Sequence, residues 1–124
     1  MDRTEGWKLD REARARLLER FPPRYEQAVA DHVTFMPGPG GTPMPETDHC
    51  TLVGHADDGN GVEAMVVKIA GSSDRPDGST YHITWSLAPG RKAVESNDVI
   101  AAHGWQELPE PIVVPVRADW WPKG

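Results

Sequence analysis

The sequence predicts an α+β domain, with a mostly antiparallel sheet, one longer N-terminal helix and a short second helix. Three observations predict it. Strand-like runs outnumber helical ones along the 124 residues. Two of those runs, 50–56 and 62–70, are separated by DDGNG, and Asp or Asn beside Gly is hairpin-turn chemistry. A helical stretch, REARARLLERF, directly follows Asp10. The length fits a single domain over residues 1–124.

Each element has its own reason. Asp10 is a preferred N-cap residue, and Glu12 falls in the first turn, where negative charge is favourable. Ala13, Leu17 and Phe21 recur at i, i+4 and i+8, with Leu18 at the edge of that stripe. Arg14 falls inside the stripe, so its stem is expected along apolar surface with the charge reaching water. Pro22 and Pro23 end the helix. Residues 28–36, AVADHVTFM, read as one strand. Residues 37–45, PGPGGTPMP, are a Gly/Pro loop, and 71–78, GSSDRPDG, are another.

Residues 79–87, STYHITWSL, alternate as a second such strand, closed by Ala88-Pro89-Gly90. Ser96 or Asn97 is expected to cap a short helix that ends at Gly104. Residues 112–116 read as a final strand, and Pro115 within it suggests a sheet edge. The aromatic tail from Arg117 onward is expected to fold back on the core.

Composition narrows the function classes. A formal net charge of −6 argues against non-specific binding to a long nucleic acid. No apolar run approaches the ~20 residues that span a bilayer, so no membrane partner is expected. The N-terminal MDRTEGWKLDREARARL has no apolar segment suited to a signal peptide, and Cys50 is the only cysteine. A reducing, cytoplasmic setting is the expectation.

The chemistry-bearing pattern occurs twice. His32-Val33-Thr34 and His82-Ile83-Thr84 each lie in an extended apolar run beside a Gly/Pro-rich loop. In a strand, residues i and i+2 share a face. His32 therefore sits beside Thr34, and His82 beside Thr84 and Ser86. Tyr81, Ile83 and Trp85 take the opposite face as core residues. One His-x-Thr alone reads as an ordinary strand, and the pair asks for a common purpose. Two imidazoles facing one cleft divide proton transfer, since histidine serves as acid and base near neutrality. Two hydroxyls donate hydrogen bonds to phosphoryl oxygens.

Competing templates are missing. There is no GxxxxGK[ST], GxSxG or HExxH pattern. His103 reads as a cation at a helix C-terminus. His49, Cys50 and His55 lack a second ligand pair at zinc spacing, and neighbours His49 and Cys50 point to opposite strand faces. No metal site and no cofactor are expected.

DHVTF and YHITWS resemble the paired H-x-[ST] motifs of the two-histidine (2H) phosphoesterase superfamily, which includes RNA 2′,3′-cyclic phosphodiesterases and the C-terminal domain of fungal tRNA ligases. The wider context, FPPRYEQAVADHVTF with GSSDRPDGSTYHITWSL and SNDVI, is similar to a small RNA-repair-like branch. The likeness runs from about residue 17 to 116. It departs at Phe35 and Trp85, where the family often has Leu, both on the non-catalytic face.

The resemblance implies a compact version of a bilobal fold with a concave cleft, and it puts the catalytic residues at His32, Thr34, His82 and Thr84. The expected activity is a metal-independent cyclic phosphodiesterase acting on 2′,3′-cyclic phosphate ends of RNA or on small cyclic or oligonucleotide phosphoesters. The expected partner is a nucleotide or RNA end. Tyr25 and Arg75, in segments entering the motif strands, and Ser86 are the expected substrate contacts. The alternatives are a binding module for nucleotides or RNA ends without turnover, an RNA-ligating relative and a relative that cleaves cyclic oligonucleotides.

Overall fold

A computed structural model describes residues 3–122. The strands are β1 (Arg3–Leu9), β2 (Gln27–Ala28), β3 (His32–Phe35), β4 (His49–Asp57), β5 (Val62–Lys68), β6 (His82–Leu87) and β7 (Gln106–Pro122). Helices α1 (Arg11–Arg20) and α2 (Glu95–His103) complete the described residues. The strands form one seven-stranded sheet in the order β2-β6-β5-β4-β7-β1-β3, and every pairing is antiparallel. The architecture is α+β. Helix α1 has 10 residues and α2 has nine, so the expected difference in length is one residue.

The sheet curls until its two ends lie together. Trp7 of β1, Val33 of β3, Leu52 of β4, Met65 of β5, Ile83 of β6 and Val114 of β7 belong to one buried core. Between β2 and β3 the chain runs along β6, where the Val29 and Ala30 amides donate to the carbonyls of Trp85 and Thr84 at 2.9 Å each. Burying alternate residues of six strands in one interior is what a strongly twisted sheet does as it approaches closure. The outer face of β5 and β6 is covered as well. There Ile100 of α2 packs on Ala56, Ala64 and Val66, and Val99 packs on Val62 and Leu87. All six residues of β6 are buried for this reason.

Several elements stand as the sequence predicts. Asp10 caps α1, its carboxylate accepting from the Ala13 amide at 2.9 Å. Ala13 and Leu17 are buried. The β4–β5 hairpin turns through 58–61, with Asp58 Oδ1 accepting from the amides of Asn60 and Val62 at 2.8 and 3.0 Å. Gly59 and Gly61 there adopt φ of +69° and +112°, which suits glycine. Gly104 ends α2 at φ +69°.

Other expectations need correction. Residues 28–36 do not form one strand. The chain breaks at Ala30, where φ is +41°, and β2 pairs with β6 while β3 pairs with β1. Arg14 is the physical reason the break is stable. Its guanidinium does not reach for water but donates to the carbonyls of Ala30 at 2.8 Å and Val29 at 2.9 Å. The second histidine strand begins at His82 rather than 79, because Ser73 and Asp74 engage Tyr81 and Thr80 first. Neither Ser96 nor Asn97 caps α2. The helix begins at Glu95, and no side chain caps Val94 before it.

The final strand has 17 residues and lies inside the sheet, not at its edge. Pro115 is tolerated because it sits where β7 changes partner, the last residue paired with β4 before β1 takes over at Val116. The tail from 117 to 122 continues this strand beside β1, a strand for which the sequence reading had no signal. Lys123 and Gly124 lie outside the described residues. No helix among the described residues is long and apolar enough to cross a membrane.

Candidate active site

The curl of the sheet brings the two His-x-Thr motifs to one place. His32, Thr34, His82 and Thr84 all line a cleft of about 840 Å³, together with Arg75. The strand period explains this, since Val33, Ile83 and Trp85 are fully buried in the core and the motif residues take the other face. The cleft is walled by the start of α2, the 36–44 loop and the ends of β1 and β7.

The two histidines have different surroundings. His82 is 8% exposed, and its Nδ1 lies 2.8 Å from the Thr80 carbonyl oxygen. A carbonyl only accepts, so Nδ1 carries the proton and Nε2 presents a lone pair. Burial pushes this imidazole down to about 4; the Thr80 carbonyl opposes that, and the nearby Arg75 and His32 charges add to it. His82 is therefore neutral at pH 7.

His32 is more open, and its Nδ1 lies 3.0 Å from Asp31 Oδ2. Burial raises the Asp31 carboxyl, but hydrogen bonds from Lys8, His32 and Arg11 outweigh it and hold the group well below the usual carboxylate range. Lys8 Nζ is 2.9 Å away and Arg11 Nη1 is 3.0 Å away. An ionised carboxylate against Nδ1 fixes the orientation of the ring. The Trp121 ring centroid is 4.5 Å from that of His32.

Arg75 supplies a buried cation. It is 3% exposed, and its guanidinium donates to Ser79 Oγ at 2.7 Å, to the Thr34 carbonyl at 3.3 Å and to Asn97 Oδ1. All three acceptors are neutral, and among the described residues no carboxylate forms an ion pair with it. Burial pushes the guanidinium below its ordinary value. The Asp77 carboxylate acts on it through space and accepts from Ser79 Oγ, not from the guanidinium, so an anion in the cleft would be its direct counter-ion. Arginine also has the planar fork that grips a phosphoryl group.

Thr84 is held from α2. Its Oγ1 is 2.9 Å from Ser96 Oγ and 3.3 Å from the Ala93 carbonyl. Ser96 and Asn97, expected as helix caps, thus support Thr84 and Arg75 instead. Sequence reasoning also missed Asp31 and Trp121. Asp31 had a local signal, since it directly precedes His32. Trp121 had none, because its place depends on the pairing of β7 with β1.

Two expected substrate contacts lie elsewhere. Neither Tyr25 nor Ser86 lines the cleft. Ser86 is fully buried and donates to Glu63 Oε1 at 2.7 Å, while the Tyr25 amide donates to Ser86 Oγ at 3.2 Å. The Tyr25 hydroxyl donates to Asp57 Oδ1 at 2.6 Å. These residues tie the segment before β2 onto β4, β5 and β6. The strand face shared by His82, Thr84 and Ser86 runs out of the cleft at its third residue, under the chain at Tyr25.

His49 and Cys50 point to opposite faces of β4, and burial pushes the Cys50 thiol up to about 12, a poor nucleophile. No group of three or more potential metal ligands occurs among the described residues. Searches of family models, curated proteins and solved structures return no match to this chain.

Proposed function

We propose that the chain is a metal-independent phosphodiesterase of the two-histidine kind, opening a 2′,3′-cyclic phosphate on a nucleotide or RNA end. The observation that carries this reading is the unequal pair of histidines beside a buried, unpaired Arg75 in one cleft. The phosphate anion lies beside Arg75, with Thr34 donating to one non-bridging oxygen and Thr84 turning its one hydroxyl proton from the Ala93 carbonyl to another.

The inequality assigns the roles. His82, neutral with a free Nε2, is the general base. It takes a proton from water as the water oxygen bonds to phosphorus. His32, whose ring is oriented by Asp31, is the general acid. The bond from phosphorus to one ribose oxygen breaks, and that oxygen takes the His32 Nε2 proton. The product is a phosphomonoester, and solvent returns each histidine to its starting form. No step needs a metal ion, because Arg75 and the hydroxyls meet the developing charge.

One observation favours the alternative of binding without turnover. A group pushed down to about 4 is a weak base. A bound phosphate anion counters this by offsetting the Arg75 charge and raising the proton affinity of His82. The deciding experiment is a panel of 2′,3′-cyclic nucleotides, short RNAs with cyclic ends and cyclic dinucleotides, incubated with purified protein in EDTA. Monoester products at a rate proportional to protein concentration support the reading. Saturable binding with no product supports the binding module.

A further inference from the structure

We infer that the cleft holds a nucleoside, with its base stacked on Trp121; this rests on the phosphodiesterase reading of the same site. The cleft is lined by groups of two characters. Arg75, His82, Thr84 and Asn97 are polar, and Trp121, Met36, Met44, Pro37 and Pro43 are largely apolar. A phosphate accounts for the polar groups alone. A volume of about 840 Å³ lies within the ~300–1,000 Å³ typical of pockets for whole small molecules, so a lone anion would leave most of it empty.

The placement of Trp121 points to the occupant. Trp121 pairs with Thr4 on β1, and its ring abuts His32, the residue that gives up a proton to the ribose oxygen. The sugar beyond that oxygen must therefore pass Trp121. Lys8 Nζ sits 5.0 Å from the ring centroid. Gly6 makes room for the ring, since a Cβ there would lie 3.1 Å from Trp121 Cη2. Trp121 is partly buried and lines the cleft, so its indole offers a flat surface there, and every nucleobase has a face that stacks on one. Met36 and Met44 add adaptable apolar surface that does not demand one particular base. A chain of net charge −6 suits a nucleotide or a short end more than a long strand.

The test compares adenosine 2′,3′-cyclic phosphate with glycerol 1,2-cyclic phosphate, which has the same reactive ring and no base. Calorimetric binding of adenosine 3′-monophosphate gives a readout independent of turnover. The expected kcat/KM is about tenfold or more in favour of the adenosine ester. In Trp121→Leu the ratio falls toward one, mainly through KM, and the monophosphate binds about tenfold more weakly. The wild-type comparison needs no variant, so the inference remains testable where Trp121→Leu does not fold. Equal kcat/KM for the two esters in the wild type overturns the base platform and leaves the phosphodiesterase reading standing. Hydrolysis of neither ester, with Trp121-dependent monophosphate binding, overturns the phosphodiesterase reading and keeps the platform.

Discussion

The Nδ1 atom of His82 stands 2.8 Å from the carbonyl oxygen of Thr80, two residues back along the chain. That one contact sets the tautomer of a buried imidazole and turns its basic nitrogen toward the cleft. Burial, which outweighs that contact, makes the ring a liability in acid. His82 is held down to about 4, below the ordinary value of about 6.5, so the unfolded chain binds its proton first as pH falls. The stability lost through this group is absent above about pH 6.5, grows between 6.5 and 4 and is complete below that, amounting to roughly 3 kcal/mol. Urea unfolding between pH 7 and pH 4 should show a shallower loss in His82→Asn than in the wild type. Parallel curves would contradict the buried neutral ring.

The same group shapes the rate. In the free protein, kcat/KM should hold as pH falls below 6 and drop near pH 4, where His82 takes up a proton. That limb belongs to the coupled pair, because the two rings share a cleft. A pH–rate profile with an acid limb well above pH 5 would reverse the assignment of base and acid.

Asp31 acts through His32. Asp31→Asn leaves a neutral partner for Nδ1 and removes the charge that strengthens the contact holding the ring. The rate should fall by about tenfold through kcat, with KM little changed. An unchanged kcat accompanied by a loss of folding stability would mark Asp31 as structural only.

Arg75 is tested by binding. Lysine at that position keeps a charge, but it cannot meet Ser79, Thr34 and Asn97 in one plane while facing an anion. Arg75→Lys should weaken adenosine 3′-monophosphate about tenfold in calorimetry, and Arg75→Met should weaken it further. Unchanged affinity in both would remove Arg75 from the phosphate site.

Much of this arrangement is legible in the sequence, because it depends on local rules. Asp10 before a helical run, DDGNG between two apolar runs and the period-2 placing of Val33 and Ile83 are short-range signals, and the structure follows them. What escapes depends on contacts distant in sequence. The break at Ala30 is held by Arg14, sixteen residues earlier. Strand β1 carries little alternation of its own and exists because β7 and β3 flank it. Pro115 misleads because edge and partner change are indistinguishable in one chain segment. At the site, both motifs and Arg75 were readable, but Ser86 is held by the buried carboxylate of Glu63 and the Tyr25 hydroxyl by Asp57, contacts that no local pattern announces.

Gly6 tests the packing behind His32. A Cβ at that position would come 2.1 Å from the Val33 carbonyl oxygen, and a β1–β3 backbone contact gives way only by separating the strands. Gly6→Ala should cost about 1–3 kcal/mol in urea unfolding and disturb Trp121 and His32 together. An alanine variant as stable as the wild type would show that β1 and β3 are not so closely paired.

The most direct measurement is the turnover of adenosine 2′,3′-cyclic phosphate in EDTA by the wild type, His32→Ala, His82→Ala and the double variant, each checked for folding by circular dichroism. The wild type should give a monoester product, and each single variant should lose about 10²–10⁴-fold in rate. The double variant should lose much less than the product of the two, because the residues work as a unit. A folded single variant that turns over the ester at close to the wild-type rate would contradict the two-histidine mechanism.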